Sequence, residues 1–69
     1  MKAIFYNYQT EVGDREDIFE SEIKVIPCKG TKIAFPWDEE IYFSEVVRIC
    51  HCFNLNGEFT HIDIELDTF

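Results

Sequence analysis

The sequence predicts an all-β fold, a small and strongly bent antiparallel sheet or barrel of five to six strands. Three observations lead there. Aromatic and β-branched residues fill the apolar positions. Strict alternation of side-chain character marks residues 2–9 and 58–67. No window carries a 3.6-residue period without a Val, Ile, Tyr and Phe content that opposes a helix, the best of them being 37–49. One segment is far longer than its neighbours, so it must bend, and closure of the sheet hides edges that a flat one would expose.

The elements follow in chain order. In residues 2–9, Ala3, Phe5 and Asn7 point one way and Ile4, Tyr6 and Tyr8 the other, which reads as a strand. Residues 10–22 are dominated by acids, with Gly13-Asp14 as a turn signal, and read as an excursion loop anchored by Ile18 and Phe19. A short helix there stays open. Residues 23–26 resume an extended pattern, Pro27 marks an edge or bend, and Lys29-Gly30-Thr31 reads as a turn or bulge. Lys32-Ile33-Ala34-Phe35 is a short strand, and Pro36 to Glu40 a tight acidic turn. Ile41 to Phe53 is the long strand, and its phase breaks near Ser44-Glu45, where a bulge is expected. Asn54-Leu55-Asn56-Gly57 ends in Asn-Gly, a strong hairpin signal. In residues 58–67, Thr60, Ile62, Ile64 and Leu66 face one side and His61, Asp63, Glu65 and Asp67 the other.

At 69 residues the chain is expected to form one domain, 1–69, with a marginal core. That size excludes a multidomain or nucleotide-binding α/β enzyme. Hydrophobic residues make up 46% and aromatics 16%, which excludes intrinsic disorder. A formal charge of −8 argues against direct binding of nucleic-acid phosphates. No apolar run is long enough for a membrane-spanning helix, and Asn7 and Gln9 interrupt the opening residues too soon for a signal-peptide core. Three cysteines are an odd set, which points to a reducing, cytoplasmic setting.

Charge is unevenly distributed. Residues 11–22 sum to −5, residues 36–45 to −4 and residues 58–69 to −4, while Lys24, Lys29 and Lys32 bring residues 23–35 to +3. If the acidic segments share a face, they make a field suited to a basic protein surface. The bland alternative is solubility for an aromatic-rich domain. Eleven aromatics exceed what so small a core can hold, and Trp37, Tyr6, Tyr8 and Phe69 are the candidates for exposure. A homodimer through the first strand, a partner groove near Trp37, and capping of open barrel ends all stay open.

Cys50-His51-Cys52, with Cys28 and His61, is the remaining chemical feature. Alternation puts Cys50 and Cys52 on one face of a strand and His51 on the other. A zinc site of Cys28, Cys50, Cys52 and His61 is conceivable across the Asn56-Gly57 hairpin, but the expectation is that the cysteines pack as small hydrophobes. Nothing near them depresses a thiol pKa as a nucleophile needs. Carboxylate pairs such as Asp38 with Glu40 or Asp63 with Glu65 read as exposed strand and turn acids rather than a glycosidase dyad.

The runs Ile26 to Ile33, Glu40 to Ile49 and Thr60 to Leu66 resemble a pattern in short uncharacterised proteins of bacteria and their phages, where P-x-x-G-x-x-I precedes a long bent strand and an acidic last strand. The pattern is similar to SH3-like barrels. It covers residues 23–67, implies a fold and carries no catalytic signature.

The expected function is a non-enzymatic, acidic protein-binding module without a cofactor. It would dock a basic, nucleic-acid-handling partner through Trp37, Asp38, Glu39 and Glu40 together with Asp14, Glu16 and Asp17. A phage or mobile-element accessory role is the version suggested by the resemblance. The alternatives are a structural subunit assembling as a homo-oligomer and, behind it, a small zinc-binding domain.

Overall fold

A computed structural model describes residues 1–8 and 13–67, and the elements among them are five strands. These are β1 (Lys2–Tyr8), β2 (Arg15–Glu22), β3 (Lys32–Trp37), β4 (Glu40–Phe53) and β5 (Phe59–Leu66). They form one sheet in the order β2-β1-β5-β4-β3, curled through 221° into a half-barrel. The strongly bent all-β architecture is therefore the observed one. Antiparallel pairing holds for β1–β2, β3–β4 and β4–β5, and β1–β5 is parallel. No hairpin joins β1 to β5, so no turn dictates an antiparallel direction there.

The inner face follows the sequence alternation. Ala3 and Phe5 on β1, Ile62, Ile64 and Leu66 on β5, Val46 on β4 and Phe35 on β3 make the buried core. Stacked rings run from Phe5 to Phe19 (4.3 Å), Phe19 to Phe35 (5.9 Å) and Phe35 to Tyr42 (6.4 Å). Phe19 and Phe35 belong to the two outer strands. The open side of the curl is thus bridged by rings where no backbone ladder closes it.

Three bulges set the side-chain phase. Between the Phe5↔Phe19 and Tyr6↔Asp17 pairs Ile18 is the extra residue on β2. Between Val46↔Leu66 and Arg48↔Glu65 the extra residue is Val47 on β4. Between Cys52↔His61 and Phe53↔Phe59 it is Thr60 on β5. The phase break expected at Ser44-Glu45 therefore falls at Val47. The reason is pairing: residues up to Glu45 belong to the β3 ladder and those from Val46 to the β5 ladder. One strand serves two directions of the sheet, and the bulge supplies the bend between them.

Several local expectations need correction. Residues 15–22, expected as part of an excursion loop over 10–22, form β2; residues 10–12 of that segment, and Gln9 of the expected first strand, lie outside the described residues. An outer strand tolerates such charge because its outward side chains and free edge meet water. Residues 23–26, expected as a strand, belong instead to a connection through residue 31. Its Ile23 and Ile26 pack on the core, and Gly30 N–H donates to the Val46 carbonyl at 2.7 Å. The expected turn from Pro36 to Glu40 shrinks to Asp38 and Glu39, since Trp37 and Glu40 already pair. The 54–58 hairpin forms as a turn with Gly57 N–H on the Asn54 carbonyl (3.0 Å), then Gly57 at φ 79°. This is a turn followed by a glycine bulge rather than a two-residue Asn-Gly loop.

Candidate functional site

Two surfaces gather the chemistry. The first is the outer face of the β3–β4 hairpin. Cross-strand pairs Lys32↔Glu45, Ala34↔Phe43 and Pro36↔Ile41 all point outward and are exposed, Ile41 at 62% and Phe43 at 72%. Their inward neighbours Ile33, Phe35, Trp37 and Tyr42 pack on the core. Alternation thus forces the split: with one set buried, Ala34, Pro36, Ile41 and Phe43 must form an outward apolar strip. A shallow depression bordered by Lys32, Phe43, Ser44 and Glu45 lies at its base. At its tip Asp38 and Glu39 stand at φ 48° and 65°, the left-handed values that a two-residue hairpin turn demands. Tyr42 Oη donates to Glu40 Oε2 at 3.2 Å, which raises the phenol above its ordinary pKa.

The residues expected to bind a partner are divided by the fold. Trp37, Asp38, Glu39 and Glu40 sit at the tip of this hairpin, whereas Asp14 immediately precedes β2, the other outer strand, and Glu16 and Asp17 lie at its start. Trp37, expected to be exposed, faces inward and is half-buried. Tyr6, another expected exposed ring, is buried, and Tyr8 is exposed. Phe69 lies outside the described residues. Alternation identified Ile41 and Phe43 as sharing a face, but which face met solvent depended on the position of the bulge.

The second surface is the outer face of β2, β1, β5 and the far half of β4. The bulge at Ile18 turns Arg15 and Asp17 to the side where Tyr6 and Tyr8 point. The Arg15 guanidinium lies 4.0 Å from the Tyr6 ring centroid and reaches over β1 to β5. It donates from Nη1 to Asp63 Oδ2 at 2.9 Å, from Nη2 to Asp63 Oδ1 at 3.1 Å and from Nε to Asp17 Oδ1 at 2.8 Å. These bonds hold the Asp63 carboxyl below its ordinary pKa and keep Arg15 firmly charged. Burial, with the Glu65 charge beside it, raises the Tyr6 phenol. Glu65 Oε1 is buried 3.7 Å from Arg48 Nε.

Asp63 is also met along its own strand, β5. His61 Nε2 lies 3.0 Å from Asp63 Oδ1, and Cys52 is His61's cross-strand partner. The ligand atoms of Cys52, His61 and Asp63 all lie within 4.8 Å of one another. Burial and the Asp63 charge raise the Cys52 thiol. Of the proposed zinc set, the structure brings Cys52 and His61 together, with Asp63 in place of the other two. Cys28 is in the 23–31 connection and exposed, and Cys50, opposite Asp63, is exposed and outside the group. Asp63 was legible as an outward acid of β5 two residues from His61, but not Arg15, which joins only through the β1–β2 pairing.

Acids on β2 are largely answered within the fold. The N-terminal ammonium meets Glu22, Lys2 Nζ lies 3.4 Å from Glu20, and Arg15 holds Asp17. No helix among the described residues is long and apolar enough to cross a membrane. Comparison with protein-family models, curated proteins and solved structures found no match for this chain.

Proposed function

We propose that this protein is a non-enzymatic binding module that docks a basic protein surface with the outer face of its β3–β4 hairpin. One observation carries the reading. The contiguous strip of Ala34, Pro36, Ile41 and Phe43 is exposed and rimmed at the tip by Asp38 and Glu39. An exposed apolar patch with a polar rim is the ordinary mark of an interaction surface. The acidic rim selects a basic partner and speeds its approach, while the apolar strip supplies the contact area. Asp14, Glu16 and Asp17 on the other outer strand add to the negative field without touching the same patch of partner.

The free edges favour a different protein over a second copy of this one. β2 is lined by acids, which repel a like strand, and β3 carries Pro36, which has no N–H to offer. A nucleic-acid-handling protein is basic and fits the rim, and inhibition of such a host protein by a phage or mobile-element accessory is the form suggested by the sequence resemblance.

The test is capture from a cell lysate with the untagged chain coupled to a resin, beside Phe43→Ser and the double variant Asp38→Asn, Glu39→Asn. The expected result is a basic protein held by the unaltered chain and released at about 1 M salt, where screening shrinks to roughly 3 Å. Both variants should lose it. Retention that ignores salt and both variants, or recovery of only further copies of the chain with light scattering above monomer mass, would count against the reading. The latter outcome would assign the strip to self-assembly.

A further inference from the structure

Potential metal ligands of three kinds converge on the outer face of β4 and β5. Thr60, the bulged residue of β5, has one hydroxyl proton, and Oγ1 donates it to the Cys52 carbonyl at 3.1 Å. The same Oγ1 lies 2.9 Å from His61 Nδ1. The ring is thus held at Nδ1, and its other nitrogen, Nε2, lies 3.0 Å from Asp63 Oδ1. Cys52 Sγ is the third donor around the same point.

We propose that Cys52 Sγ, His61 Nε2 and Asp63 Oδ1 bind one zinc ion on the outer face of β4 and β5. Sulfur, imidazole nitrogen and carboxylate oxygen are the three ligand types zinc accepts, and their mixture suits this borderline metal better than the hard cations magnesium or calcium. Tetrahedral bonds of ordinary length place such atoms roughly 3.4 to 3.6 Å apart. The ligand atoms lie within 4.8 Å of one another, so the wider separations must close while the 3.0 Å approach of Nε2 to Oδ1 opens by a few tenths of an ångström, shifts of the order of a side-chain rotation. Binding releases the Cys52 thiol proton to solvent and leaves the metal with a thiolate, a neutral imidazole and a carboxylate. A fourth position stays open to water.

The surroundings match what supports a metal ligand. Thr60 holds the His61 ring at its second nitrogen, and Arg15 orients Asp63 through both carboxylate oxygens, leaving further lone pairs on Oδ1. A bulge at the ligand strand is the usual device for aiming a side chain at a site. Arg15 also sets a limit, since its charge repels the ion and holds affinity below that of an all-cysteine site. The overall charge of −8 works in the opposite direction.

The test uses the full chain, untagged and reduced, titrated with zinc alone against a chromophoric chelator, and with cobalt as a spectroscopic stand-in. One equivalent should bind, and cobalt should show a thiolate charge-transfer band with intense tetrahedral visible bands. Cys52→Ser and His61→Gln should each lower affinity at least about tenfold, and Thr60→Val, which touches no metal, about 10- to 100-fold. Cys28→Ser should leave it unchanged. Circular dichroism of each variant separates a lost ligand from a lost fold, and the unaltered chain carries the test by itself. Absence of zinc binding, a cobalt spectrum without the thiolate band, or affinity lost in Cys28→Ser would each overturn the proposal. None of these results depends on the β3–β4 hairpin or its partner.

Discussion

Glu39 has the least comfortable backbone among the non-glycine residues described. Its φ of 65° puts Cβ against the following carbonyl, and left-handed geometry costs an L residue about 1–2 kcal/mol. Asp38, at 48°, is better suited because its short side chain tolerates this region. Asn-Gly would satisfy the same turn with little strain, yet in this chain Asn-Gly stands at residues 56–57, where the glycine takes φ 79°. Replacing Glu39→Gly should therefore raise stability by about 0.5–1 kcal/mol once the greater freedom of glycine in the unfolded chain is subtracted. Urea denaturation reads this directly. A fall in the midpoint would mean that the Glu39 side chain itself holds the turn.

At the scale of the element, the β3–β4 hairpin has two faces with opposite duties. Phe35 is wholly buried and stacks with Phe19 and Tyr42, whereas Phe43, a cross-strand neighbour of Ala34, lies open to water. Phe35→Ala should cost about 3–5 kcal/mol, comparable to the whole stability of a domain this size, and leave the chain largely unfolded. Phe43→Ser should shift stability by no more than about 0.5 kcal/mol. Thermal melts of the two variants check the contrast. A large loss at Phe43 would mean that the strip is covered in the free protein, by a second copy or by part of the chain beyond the described residues.

For the whole molecule, the half-barrel is held by a parallel seam between β1 and β5 and by one side chain that crosses it. Arg15 ties β2 to β5 over the Tyr6 ring, ending on Asp63, a carboxylate only 14% exposed. Arg15 itself is about a third exposed, so solvent screening reduces what the pair contributes. Arg15→Gln should cost about 1 kcal/mol, with the difference from the unaltered chain narrowing as salt rises. Denaturation at low and high ionic strength measures both. A loss of stability indifferent to salt would assign the role of Arg15 to packing on Tyr6 rather than to its charge.

The sequence by itself determined the all-β class, the two faces of β1 and β5, a turn within 36–40 and another at 54–57, and the placing of Cys50 and Cys52 on one face. Those features depend on residues within a few positions of each other, where alternation and turn chemistry act. It misread residues 15–22 as a loop because acids outnumber apolar residues there, although an outer strand needs only a few inward side chains. It misplaced the bulge of β4 because two phases fit equally well until the partner strands on each half were known. Tertiary structure alone decided the parallel β1–β5 seam, the outward turn of Ile41 and Phe43, and the meeting of Arg15, Cys52, His61 and Asp63. Each of these joins segments remote in the chain, and their register is set by burying one shared apolar face, a choice no local pattern records.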